Sequence, residues 1–283
     1  MNKPSAAAAR FRAEAAKRIL VTDGAWGTMI QTFGLAEADY AGTLGLSHEQ
    51  KGNNDMLCLT RPDIIEKITQ GYLDAGSDIV STNTFSSTTI SQADYGAEHL
   101  VRELNLAAAG IARRAADAAQ AKDGRPRFVA GALGPTNKTL SLSPDVNDPG
   151  FREVDYDQVK DVYTQQIQAL LDGGVDFILI ETIFDTLNAK AAIMAVLEES
   201  DRRGVEIPIM ISMTITDMSG RNLSGHAIDA FWWAVRHARP LTVGLNCSFG
   251  ADLLRPHVQL LSGIADTLLM SYPNAGLPNE LGQ

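Results

Sequence analysis

The chain has 283 residues, 45% of them hydrophobic and 20% charged, with a formal net charge of −10 and a pI of about 4.9. That composition excludes a disordered or solvating chain and is enough for one large core. The acidic balance argues against non-specific binding to nucleic acid or to an anionic membrane. The two cysteines, Cys58 and Cys247, allow at most one disulfide, and neither a signal-peptide core nor a run of about 20 apolar residues is present, so a reducing, cytoplasmic setting is expected.

Residues 3–18 read as a short amphipathic helix, with Phe11, Ala15 and Ile19 on one side. A strand is expected from Ile19 to Asp23, stopping at Asp23-Gly24-Ala25, and a polar stretch then runs to Asn53-Asn54. Arg61-Pro62-Asp63 opens a helix whose apolar face is Ile64, Ile65, Ile68, Tyr72 and Leu73. It ends at Gly76-Ser77-Asp78 and feeds a strand beginning Ile79-Val80-Ser81. The same phrase returns at Gly173-Gly174-Val175-Asp176 before Phe177-Ile178-Leu179-Ile180-Glu181, and more weakly at Gly263-Ile264-Ala265-Asp266.

Each phrase is a helix, a glycine stop, a tight turn and a buried strand, the repeating unit of a parallel α/β fold. Phe128-Val129-Ala130-Gly131-Ala132-Leu133 and Pro208-Ile209-Met210-Ile211-Ser212-Met213 supply further strands. Two helices lie between them. One shows Val159, Val162, Tyr163, Ile167, Leu170 and Leu171 on one face, the other Leu187, Ala191, Met194 and Leu197. The segment 134–155 has no periodicity and reads as a long functional loop.

Seven strands are expected in all, near residues 19, 79, 128, 177, 208, 241 and 267. Nearly all end in small or polar residues: Asp23, Asn83, Gly134, Glu181, Thr214, Cys247 and Asn274. Ligands in parallel α/β folds sit at those ends. Seven strands are one short of a closed (β/α)8 barrel, and the chain stops at Leu281-Gly282-Gln283, where another helix and strand would begin. The expected division is an N-terminal helix, 1–18, and a barrel, 19–283.

Asp23-Gly24-Ala25 reads either as a cradle for a carboxylate or as an ordinary βα turn. Glu181, ending an apolar strand, holds an ammonium group or a salt bridge across the strand ends. Thr82-Asn83-Thr84-Phe85 binds a small polar ligand or stitches loops. Cys247 is a metal ligand, a nucleophile or a packed thiol, whereas Cys58 reads as core. There is no CxxC, HExxH or HxH pattern, and His48, His99, His226, His237 and His257 are scattered.

Several segments, in order, carry a resemblance. They are Asp23-Gly24-Ala25-Trp26-Gly27-Thr28-Met29, Lys51-Gly52-Asn53-Asn54-Asp55, Thr82-Asn83-Thr84-Phe85 and Gly134-Pro135-Thr136-Asn137. Further along come Ser143-Pro144-Asp145-Val146-Asn147-Asp148-Pro149, Glu181-Thr182-Ile183-Phe184-Asp185-Thr186, Gly244-Leu245-Asn246-Cys247 and Pro273-Asn274-Ala275-Gly276-Leu277-Pro278-Asn279. Together they closely resemble the N-terminal homocysteine-binding module of cobalamin-dependent methionine synthase, from about residue 15 to residue 280.

The resemblance implies a (β/α)8 TIM-type barrel that binds homocysteine through zinc. Cys247 is then one of three cysteine ligands and Asn274 a fourth ligand displaced by the substrate sulfur. The other two cysteines are expected in a Gly-Gly-Cys-Cys-Gly segment beyond Gln283. Asp23, Gly24 and Ala25 would hold the amino-acid end of homocysteine and Glu181 its ammonium, with Thr82, Asn83 and Asn246 also at the substrate site. Zinc would make the substrate thiolate the nucleophile toward methylcobalamin, which is carried, like methyltetrahydrofolate, by other domains or by a split partner chain. With only Cys247 and Asn274 present, the 283 residues are expected to hold zinc weakly or not at all, as a fragment lacking its eighth strand and last helix. The competing expectations are a standalone betaine or S-methylmethionine homocysteine methyltransferase and a non-catalytic barrel remnant.

Overall fold

The computed structural model describes residues 2–275. Gly276-Leu277-Pro278-Asn279 of the last motif, and the chain end, lie outside the described residues. Six parallel strands form one sheet in chain order: β1 (Ile79–Ser81), β2 (Phe128–Leu133), β3 (Phe177–Ile183), β4 (Ile209–Met213), β5 (Thr242–Gly250) and β6 (Leu268–Asn274). Each neighbouring pair is parallel, so every connection crosses back over the sheet through helical chain. The apolar runs of β2 and β4 are buried along their whole length, as strands covered on both faces must be.

Alternation separates two faces. Ile178, Ile180, Ile209, Ile211, Val243 and Leu245 face the helices and join a large cluster that includes Val159, Tyr163, Ile167 and Leu170. The opposite face is concave. Ile79, Phe128, Ala130, Phe177, Leu179 and Met210 meet there, with Leu268 and Met270 packed against them, so side chains from β1 to β6 share one interior. The Ala6–Ala15 helix, capped by Ser5, closes the floor: Phe11 packs edge-on against Phe128 at 5.4 Å and Phe177 at 5.2 Å.

The first of the seven expected strands, Ile19 to Asp23, does not form. Only Thr22 makes an isolated parallel bridge, to Ile79, while Ile19 is 88% and Val21 53% exposed. The segment borders β1 on one side and no described strand on the other. Its amide at Val21 bonds the Asp78 carboxylate, which Arg18 and Arg125 also hold. A second correction concerns the Thr186–Arg203 helix. Leu187 and Met194 are exposed, and the buried face is Ala189, Ala191, Ala192, Ile193, Ala195 and Val196. Alanines allow close approach to the sheet, so packing selects that face over the one carrying the longer side chains. Residues 134–155 contain no helix or strand, as expected. Arg152 pins that loop by donating to the carbonyls of Leu140, Ser141, Pro149 and Phe151. No helix among the described residues is long and apolar enough to cross a membrane.

Candidate functional site

The strands end at a cavity of about 870 Å³, lined among others by Asp23, Ser81, Glu181, Cys247, Tyr272 and Asn274. These residues come from the β1 side, β3, β5 and β6, brought together because the sheet curls. The volume is at the upper end of small-molecule pockets, about 300–1,000 Å³.

Asp23 follows the bridge at Thr22. Its Oδ2 accepts from the Ser81 N–H at 2.7 Å and the Ser81 hydroxyl at 2.9 Å. Burial pushes its carboxyl up to about 6, against the lowering effect of those two bonds. Gly24 sits where a Cβ would come within 2.9 Å of the Tyr72 ring, and the Tyr72 hydroxyl donates to the Ala25 carbonyl at 2.9 Å. Both residues line the cavity, and neither of their backbone N–H groups has an acceptor among the described residues. Glu181 stands on the concave face of β3. The Tyr272 hydroxyl donates to its Oε2 at 2.9 Å. Burial, and next to it the charge of Asp23, push the Glu181 carboxyl up to about 7, while the Tyr272 bond opposes them. Neither Asp23 nor Glu181 has a cationic partner among the described residues. Two buried carboxylates thus line one cavity without a cationic partner among the described residues.

Thr82 and Asn83 also border the cavity, but their polar atoms are engaged. The Thr82 hydroxyl bonds Thr84 at 2.6 Å and accepts from the Ala132 N–H at 3.0 Å; the Asn83 amide donates to the Asn54 carbonyl at 2.8 Å. Asn246 is fully buried behind the cavity wall. Its Oδ1 accepts from the Thr182 N–H at 3.2 Å and the Ser212 hydroxyl at 2.6 Å, and its Nδ2 donates to Thr182 Oγ1 at 2.8 Å and Cys247 Sγ at 3.0 Å. All four hydrogen-bonding positions of the amide are therefore used. Thr182, Cys247 and Ser248 take positive φ angles of 56°, 57° and 59°. Such conformations persist only where surroundings hold them. The Asn246 amide holds two of the three directly, and Ser248 is bonded to Thr214 at 2.6 Å. Gly244 lies in β5 where a Cβ would collide with the Met270 carbonyl, so the close approach of β5 and β6 requires glycine there.

The sequence model of the homocysteine S-methyltransferase family matches residues 20–283. The chain belongs to that family. The homocysteine methyltransferase MmuM from Escherichia coli shares the fold. Its metallated form superposes with a TM-score of 0.76 at 21% identity, over 94% of this chain and 87% of that one. Its oxidized form gives 0.75 at 21% identity, over 94% and 86%.

Family membership raises the question of a metal. Among the described residues no group of three or more His, Cys, Asp or Glu side chains could hold one. Cys247 is the one cysteine at the cavity. Cys58 is 2% exposed and bonded to the Asn83 carbonyl, in the core as expected. One thiol and the Asn274 amide do not fit a zinc shell of three or four protein ligands.

Three members of the site escaped sequence reading: Ser81, Asp55 and Tyr272. Asp55 is 4% exposed at the cavity edge and binds Ser86 N and Ser87 Oγ, both at 2.7 Å, which fixes the loop carrying Phe85. Strand parity was the available signal for the other two. Ser81 lies two residues from the inward Ile79, and Tyr272 two residues from Met270.

Proposed function

We propose that this chain binds homocysteine at its strand ends and presents the thiol to a methyl donor, as the homocysteine module of a cytoplasmic, cobalamin-dependent methionine synthase. In this reading the six strands are part of a (β/α)8 barrel. The observation that carries it is the pair of uncompensated carboxylates, Asp23 and Glu181, beside Cys247 in a homocysteine S-methyltransferase chain.

Glu181 accepts the substrate ammonium, with Asp23 as the second acceptor. The free N–H groups of Gly24 and Ala25 receive the substrate carboxylate. That anchors the amino-acid end and directs the thiol along the cavity toward Cys247 and Asn274. Thr82, Asn83 and Asn246 shape and hold the wall. In the reaction the thiol loses its proton to water, the sulfur forms a bond to the methyl carbon, and the bond from methyl to donor breaks with its electron pair left on the donor. The products are methionine and the demethylated donor. Zinc would supply an acidified thiol when bound, but the ligands in these residues do not complete its shell, so no step is assigned to it.

The test is methionine formation from homocysteine with methylcobalamin or with S-methylmethionine, preceded by calorimetric measurement of homocysteine binding. Binding together with turnover of methylcobalamin supports the proposal. Turnover of S-methylmethionine alone assigns the chain to the standalone branch, and absence of homocysteine binding overturns both.

A further inference from the structure

The geometry points to Tyr272 as a positioning residue that fixes the Glu181 carboxylate for recognition of the substrate ammonium. This deepens the homocysteine reading and rests on it.

Tyr272 belongs to β6 and Glu181 to β3, with β4 and β5 between them. The 2.9 Å bond from the Tyr272 hydroxyl to Glu181 Oε2 therefore spans the concave interior across two strands. Alternation makes this possible: Leu268, Met270, Tyr272 and Asn274 share a face of β6, and Met270, Tyr272 and Asn274 all line the cavity. It is the one hydrogen bond the Glu181 side chain receives among the described residues, and Oε1 receives none. A carboxylate with no bond rotates freely about its last torsion, which is broad and roughly two-fold. With Oε2 tied to Tyr272, Oε1 remains for a ligand.

The partner is also the right kind of group. A tyrosine hydroxyl keeps its proton at neutral pH, and here it is aimed at Glu181 Oε2, so it serves as a donor. A donor compensates the buried carboxylate without neutralising it, which leaves the negative charge for an ammonium. A lysine or arginine in its place would pair with Glu181 and compete with the ligand.

The experiment compares two thiols by calorimetry: homocysteine, and 4-mercaptobutanoate, which lacks the ammonium. Y272F keeps the ring that forms the wall and removes the hydroxyl. It is expected to weaken homocysteine about three- to tenfold, the effect of one hydrogen bond, and to change 4-mercaptobutanoate less than about twofold. In an E181Q background the same substitution is expected to have no further effect on homocysteine. Tyr272→Met carries the same comparison should the phenylalanine variant not fold.

Equal loss of both thiols would assign Tyr272 to cavity shape and overturn the inference. So would an unchanged preference for homocysteine in Y272F, and in both cases the homocysteine reading stands. Wild-type protein that binds the two thiols equally, or neither, overturns that reading and the inference with it.

Discussion

Glu181 carries the site's electrostatics, and its raised proton affinity links function to stability. Its carboxyl titrates at about 7 in the folded chain, chiefly through burial, and at about 4.3 when unfolded. Between those values the folded state holds the proton more tightly than the unfolded state. Stability therefore falls as pH rises through that window and stays reduced above it. E181Q cannot ionise and still accepts the Tyr272 hydroxyl. At pH 8 it is expected to be more stable than the wild type by about 1–2 kcal/mol, a figure discounted for solvent reaching the carboxylate through the cavity. That corresponds to a melting temperature about 2–8 °C higher. At pH 4 the two should melt together. A melting temperature of E181Q at or below that of the wild type at pH 8 would show that Glu181 is not held against its charge. Homocysteine affinity should move the opposite way: E181Q, the more stable protein, binds it more weakly.

Strands and helices differ in how far residue order alone reveals them. Leu133, Ile180 and Ile211 sit in apolar runs buried on both faces, and those runs were legible because few other folds tolerate them. Ile19 to Asp23 opens with a similar apolar run but borders only one of the described strands, which its own residues could not reveal. Leu187 and Met194 misled for a different reason: the Thr186–Arg203 helix has two apolar faces, and only packing decides between them. Glu181 and Cys247 could be placed at the cavity from residue order because each lies toward the C-terminal end of its strand, and Asp23 because it precedes the Gly24-Ala25 turn. The Asn246 amide network was not, because its four bonds join β3, β4 and β5 across the fold. The Ala6–Ala15 helix is the clearest case of tertiary assembly. Its hold on the sheet is concentrated in Phe11, 4% exposed between Phe128 and Phe177. Phe11→Ala should leave a cavity beneath the concave face and destabilise the chain by about 3–5 kcal/mol. A urea midpoint unmoved by the substitution would show that the helix is only an appendage.

At the scale of the whole molecule, the zinc that the sequence resemblance implies would have to be held at the cavity, and the cavity offers one thiol. The remaining candidates are unfavourable. Asn274 supplies a neutral amide. Glu181 is tied to Tyr272, and Asp23 to Ser81. The five histidines, His48, His99, His226, His237 and His257, are absent from the cavity lining. Zinc sites in proteins use three or four protein ligands, and the thiolates and imidazoles among them dominate the affinity. The 283-residue chain, loaded with zinc and then dialysed against buffer without chelator, should therefore retain far less than one equivalent by elemental analysis. Cys247→Ser should make little difference to that residue of metal. If instead one equivalent survives dialysis and is lost in Cys247→Ser, the described cavity holds zinc with a donor set that its geometry does not suggest, and Asn274 and Glu181 become the next residues to substitute. Addition of a peptide bearing two adjacent cysteines distinguishes a site that lacks ligands from one of the wrong shape. Zinc retained only with the peptide, and lost again in Cys247→Ser, would mean that Cys247 is correctly placed and that the missing ligands come from outside these residues.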